Sequence, residues 1–375
     1  MQPFVIDIPD ADIADLRARL RRTRWTDAIP GRGWDDGADV AYMQELCAYW
    51  ADGFDWREQE RRLNAFPHFM ADVGGNRIHF IHARGKGPNP LPVVITHGWP
   101  SSFAEFSKLI PLLTDPAAHG GAAEDAFDVV VPSMPGYGFS SRPAKPGTTS
   151  ATVADLWATL MTDVLGYRRF VAQGGDIGAG VTNRLGRKHG GVVASIHAMS
   201  PPPLQNQENL SAAERAFVAV GDIWERDEGG YSHQQASKPQ TLSIGLNDTP
   251  AGLAAWIVEK WRGWSDCGGN VESRFTKDEL LTQASIYWFT ETIGSSVRMY
   301  YESQHAPAQP PAEMIQTPAR LFLTKEAVVL CPPEWARRSY ANLSYGLAER
   351  GGHFLAAEEP ALLAADMRAW FRASR

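Results

Sequence analysis

The chain has 375 residues, 44% of them apolar, which is enough for one large α/β domain with an insertion or for two modest domains. Its net charge is −7 and no basic run reaches five residues, so nucleic acid and anionic membrane surfaces are excluded as principal partners. The first thirty residues are studded with Asp and Arg and later apolar runs are short, so neither a signal peptide nor a membrane anchor is expected. Cys47, Cys267 and Cys331 are too few and too far apart for a disulfide framework or a zinc site, and they predict reduced thiols in a cytoplasmic protein.

Along the chain, Ile13, Leu16 and Leu20 recur at helical spacing after the Pro9-Asp10 start signal, and Val40, Met43, Cys47 and Trp50 repeat the pattern. From about residue 70 the texture changes. Short β-branched runs, "NRIHFIHARG", "LPVVITHGWP", "AFDVVVPSMPGYG", "YRRFVAQGGD" and "VVASIHAMSP", each lead into Gly or Pro and then an amphipathic stretch. Strands that are almost continuously apolar and separated by helical segments predict a mostly parallel sheet with helices on both faces.

After "SPPPL" the strand signal stops, and stretches rich in Trp, Ala and Glu take over until "TPARLFLTKE", "RGGHF" and a last helix "PALLAADMRAWF". The expected organisation is therefore a helical extension over 1–70, the sheet over 71–205 and 313–375, and a helical insertion over 206–312. An insertion that leaves from the carboxyl edge of the strands would roof a ligand site as a lid.

Chemistry concentrates in four places. "VAQGGDIGAG" puts Asp176 between glycines, after an apolar strand and before a helix. That is the pattern of a sharp turn that lifts a nucleophile above a sheet, although an Asp there also serves as a plain helix N-cap. "HGWPSS" follows another strand, and the amides of Trp99 and Ile177 are the candidate oxyanion donors, with His97 shaping the loop. His353 in "RGGHF" stands in the last position, expected of a triad histidine, and Glu326, closing the strand "ARLFLTKE", is the candidate acid, with Glu334 and Glu349 as competitors.

"HGWPSSFAEF", "PSMPGYGFS", "GGDIGAG", "GGYSHQQASKPQTLSIGLNDTPAGLAAWIVEKW", "RMYYES" and "ERGGHFLAAEEP" occur in this order. Together they resemble the microsomal type of epoxide hydrolase, a group with the α/β-hydrolase fold, a helical lid and an N-terminal helical extension that wraps the core. The resemblance runs over almost the whole chain. It implies Asp176 as nucleophile, His353 as base, Glu326 as supporting acid, and two lid tyrosines, Tyr231 and Tyr300, as acids toward an epoxide oxygen. Tyr301 is adjacent, and neighbours on a helix point about 100° apart, so only one can face the site.

The implied reaction needs no metal or organic cofactor, only an epoxide and water. A serine opening an epoxide would leave an ether that cannot turn over, whereas an aspartate leaves an ester that water can cleave. The family often has Trp after the nucleophile; this chain has Ile177, a change that bears on pocket shape more than on the backbone amide. A haloalkane dehalogenase would share the Asp and the His but wants indole donors, one of which Ile177 removes. No G-x-S-x-G occurs, which disfavours a serine esterase, and a hydrolase fold kept only for binding could have lost these residues freely. The sequence does not separate detoxification from a biosynthetic role, and it leaves a homodimer open.

Overall fold

The computed structural model describes residues 1–204, 207–307, 313–326 and 328–375. The chain begins with β1 (Gln2–Phe4), α1 (Asp10–Arg21), α2 (Val40–Asp52) and α3 (Trp56–Asn64). The sheet continues through β2 (His68–Val73), β3 (Asn76–Ala83), β4 (Leu91–Thr96), α4 (Leu109–Thr114), β5 (Phe127–Pro132), α5 (Ser150–Thr159), β6 (Phe170–Gly174), α6 (Asp176–Lys188) and β7 (Val193–Ala198). Six helices follow, α7 (Ala212–Asp227), α8 (Gly230–Ser237), α9 (Pro239–Asp248), α10 (Pro250–Trp264), α11 (Lys277–Thr290) and α12 (Ile293–Gln304). The sheet resumes with β8 (Ala319–Leu323), α13 (Pro333–Arg337), β9 (Leu343–Leu347), α14 (Leu355–Glu358) and α15 (Pro360–Phe371).

The strand order is β1-β2-β3-β5-β4-β6-β7-β8-β9. The pairs β1·β2, β2·β3 and β3·β5 are antiparallel, and every pair from β5·β4 to β8·β9 is parallel. The parallel strands are covered on both faces, which is why all six residues of β5 and nearly all of β4 are buried. This is the α/β-hydrolase fold. Two antiparallel strands, β1 and β2, escape the sequence pattern. β1 has only three residues, and β2 carries His68 and Asp72, which break the apolar run. The expected boundary at 205 and 206 and the one at 312 lie outside the described residues.

Helix α6 lies hard against the sheet. A Cβ on Gly178 would stand 2.0 Å from the carbonyl oxygen of Thr96 at the end of β4, so only glycine admits this approach. The first helices pack elsewhere. Trp50 on α2 donates from Nε1 to Ser285 Oγ at 3.1 Å, and Tyr49 donates to Asp278 Oδ1 at 2.8 Å, so the N-terminal segment holds α11.

Candidate active site

Four loops leave the carboxyl ends of β4, β6, β8 and β9, and they carry Trp99, Asp176, Glu326 and His353 respectively. Asp176 is the first residue of α6 and has a φ of 51°. That left-handed conformation is uncommon for a residue with a Cβ and costs about 1–3 kcal/mol, the kind of strain that clusters at functional sites. It turns the carboxylate back toward the loop after β4. There the amide of Trp99 donates to Asp176 Oδ1 at 2.9 Å. Gly98 makes room, because a Cβ on it would stand 2.3 Å from the same oxygen. The amide of Ile177 belongs to the first turn of α6, where backbone donors lack partners within the helix and the helix end favours negative charge.

His353 Nε2 lies 3.5 Å from Asp176 Oδ2, and its Nδ1 lies 2.9 Å from Glu326 Oε2. Glu326 stands three residues beyond the end of β8 rather than within the strand. The Glu326 contact assigns the Nδ1 proton and turns Nε2 toward the aspartate. Burial alone would lower the imidazole, but the charge and hydrogen bond of Glu326, with Asp176 and Glu105 adding, raise it to about 9. The loop carrying His353 is fixed by Glu358, which accepts from the amides of Asp266, Gly352 and Phe354. His97 is buried at the edge of the same cavity with its ring held by the backbone, its Nε2 accepting from the Met134 amide at 3.3 Å and its Nδ1 meeting Gly98 O at 3.0 Å.

Tyr231 on α8 and Tyr300 on α12 face each other at 6.0 Å between ring centroids. The Trp99 ring stacks on Tyr231 at 5.4 Å and meets Tyr300 edge-on at 6.0 Å. Tyr301 turns the other way, exposed and stacked on His305 at 3.9 Å, so Tyr300 is the member of the pair beside Asp176. Burial, reinforced for Tyr231 by the charge of Asp176, raises both phenols above their ordinary value, and they remain protonated donors at neutral pH.

Glu105, Glu358 and Lys260 were not singled out by sequence reasoning. The glutamate in "SSFAEF" looks like a helix-surface residue, yet burial pushes Glu105 up to about 7 against the lowering effect of its Ser101 partner. A cavity of about 10 Å³, bordered by Ser101, Glu105, Gln173, Asp176 and His353, lies between these groups, room for roughly one water. The signal that could have found Glu105 is its spacing, four residues after Ser101 in the loop that also carries Trp99. Among the described residues no cluster of His, Cys, Asp and Glu has the arrangement of a metal site.

The sheet, the elbow and the loop after β4 define a member of the α/β-hydrolase class. Two families match, one described as "alpha/beta hydrolase fold" over residues 92–229 and one as "Epoxide hydrolase N terminus" over residues 1–106. A protein of Stigmatella aurantiaca is 43% identical over 100% of this chain and 85% of its own length. Epoxide hydrolase 1 of Sus scrofa is 37% identical over 98% of this chain and 88% of its length. The crystal structure of juvenile hormone epoxide hydrolase from the silkworm Bombyx mori superimposes with a TM-score of 0.85 at 30% identity, covering 99% of this chain and 93% of that one. The chain belongs to the epoxide hydrolase family.

Proposed function

We propose that this enzyme, a hydrolase of ether bonds, converts an epoxide and water into a vicinal diol through a covalent ester on Asp176. The observation that carries the reading is the arrangement around one carboxylate. Oδ1 is held by the Trp99 amide, Oδ2 lies beside His353, and two phenols packed on the Trp99 ring are near enough to feel its charge. Phenol donors suit a developing alkoxide, which a halide would not need.

In the first step Asp176 Oδ2 attacks a ring carbon from behind, the carbon–oxygen bond breaks, and a tyrosine delivers its proton to the leaving oxygen. An ester and a phenolate result. Ester formation removes the charge on Asp176, one of the charges that raise the His353 imidazole. The base is thereby released when it is needed. His353, oriented by Glu326, takes a proton from a water seated in the cavity beside Glu105. The hydroxide attacks the ester carbonyl, and the amides of Trp99 and Ile177 hold the oxyanion. Collapse expels the diol, and the proton on His353 returns to the phenolate.

The helices between β7 and β8 serve as the lid that supplies the tyrosines, and the N-terminal segment braces it. The three buried thiols, Cys47, Cys267 and Cys331, support a reducing, cytoplasmic setting. A homodimer is tested by sedimentation.

The test is a single turnover with excess enzyme in water enriched in heavy oxygen, using styrene oxide and cis-stilbene oxide. The expected result is an unlabelled diol and a labelled Asp176 peptide. A diol that carries the label from the first turnover would show that water opened the ring, and it would overturn the ester route.

A further inference from the structure

Lys260 is an unusual residue for the interior, because lysines are almost never buried without a reason. It is only 7% exposed, on a helix of the insertion whose neighbouring Ile257, Val258, Trp261 and Trp264 are buried too. Its Nζ lies 5.0 Å from the centroid of the Tyr231 ring and 5.9 Å from that of Trp264. The carboxylate beside it is Glu259 at 2.5 Å, whose side chain is 24% exposed and so is better screened by solvent than the lysine it pairs with. Among the described residues, Lys260 is the cation placed over either tyrosine ring of the site.

We propose that Lys260 makes Tyr231, rather than Tyr300, the proton donor in epoxide opening by holding an ammonium charge over its ring. The reasoning is electrostatic. A cation over an aromatic face is attracted by the ring's negative quadrupole, and the attraction grows when the ring becomes a phenolate. The carboxylates around Tyr231 work in the other direction. Asp176 on α6, Glu326 after β8 and Glu225 on α7 all oppose a negative phenolate, while the Tyr300 hydroxyl on α12 favours it by donating to the Tyr231 oxygen. The same hydrogen bond discourages ionisation of Tyr300. The pair is therefore asymmetric. Tyr231 collects both the cation and the hydrogen bond, and Tyr300 acts as the donor that supports it. Lys260 is a positioning residue, acting through Tyr231 without touching the substrate.

The inference rests on Tyr231 being an acid in ring opening, so the experiment separates the two ideas. Ester formation and ester hydrolysis are measured separately in single turnovers with styrene oxide and cis-stilbene oxide, for the wild type and for Lys260→Met, Lys260→Arg, Glu259→Gln, Tyr231→Phe and the double variant Lys260→Met/Tyr231→Phe. Lys260→Met keeps the length of the side chain without its charge. It is expected to slow ester formation by about 10-fold to 30-fold, from the usual strength of a desolvated cation over a ring, and to leave ester hydrolysis within about twofold. Lys260→Arg restores most of the rate, and Glu259→Gln, which frees the charge, leaves it equal or faster. In the Tyr231→Phe background the Lys260→Met change has no further effect on ester formation.

If Tyr231→Phe is slow but Lys260→Met is not, the role given to Lys260 is wrong while the acid role of Tyr231 stands. If Tyr231→Phe forms ester at the wild-type rate, the acid reading itself falls and the inference with it. Equal slowing of both steps by Lys260→Met, with no rescue by arginine, would mark the lysine as structural and overturn the proposal.

Discussion

Asp176 and His353 approach to 3.5 Å between Oδ2 and Nε2 without forming a short hydrogen bond, while the other oxygen of the same carboxylate is bonded to the Trp99 amide. The spacing fits two groups that act in turn. A proton shared tightly between them would weaken the nucleophile, and a wider gap would put the base out of reach of the ester carbon.

Removal of the proposed nucleophile is the first prediction. Asp176→Asn removes the attacking oxygen and also one of the charges that raise His353. Turnover is expected to fall by roughly 1,000-fold or more, and the imidazole, followed by NMR, to titrate below the wild-type value of about 9. An unchanged titration would mean that Glu326 and Glu105 set it without Asp176.

His353→Gln separates the two steps. Ester formation needs no base, so this variant is expected to convert one equivalent of epoxide and stop, with the mass of the ester retained on the Asp176 peptide. Failure to form any ester would place the histidine in ring opening instead.

Stability toward pH follows from buried imidazoles of opposite sign. Burial lowers His82 and His97 to about 4, and lowers His68 as well. Below pH ~6.5 the unfolded chain takes up protons that these rings refuse, so stability falls between about pH 6.5 and 4, on the order of 3 kcal/mol for each of His82 and His97. His353 is raised instead, and its contribution is complete below pH ~6.5 and lost as the pH climbs through about 9. Chemical denaturation across pH 4–10 should show both slopes. His97→Gln should flatten the acidic one.

Gly178→Ala is expected to be among the most damaging single changes. The added carbon would sit 2.0 Å from Thr96 O, so α6 must move off the sheet and carry Asp176 with it. Activity and thermal midpoint should fall together. Loss of activity at an unchanged midpoint would mean that the helix absorbs the shift locally.

Much of this was legible in the sequence, for identifiable reasons. β4, β5 and β6 read clearly because strands buried on both faces are apolar throughout, and the sharp turn at Asp176 because glycines stand on both sides of a polar residue between a strand and a helix. The choice between Tyr300 and Tyr301 was not legible. Both lie on α12, and their direction depends on how that helix rotates against α8 and α9. Glu105 and Lys260 were hidden for the opposite reason, since a charged residue in an amphipathic stretch reads as solvated until tertiary packing closes over it. β1 and β2 failed because three residues, or a strand broken by His and Asp, carry too little periodicity.

The contacts between Trp50 and Ser285 and between Tyr49 and Asp278 span 235 and 229 positions of sequence. During synthesis α2 therefore waits for nearly the last helices of the insertion before the Trp50 indole meets its hydrogen-bond acceptor. At typical elongation rates of roughly 5–20 residues per second that interval lasts on the order of ten seconds or more. For that time Trp50 and Tyr49 lack these two partners, so the tie between α2 and α11 can form only after β2 to β7 have been made.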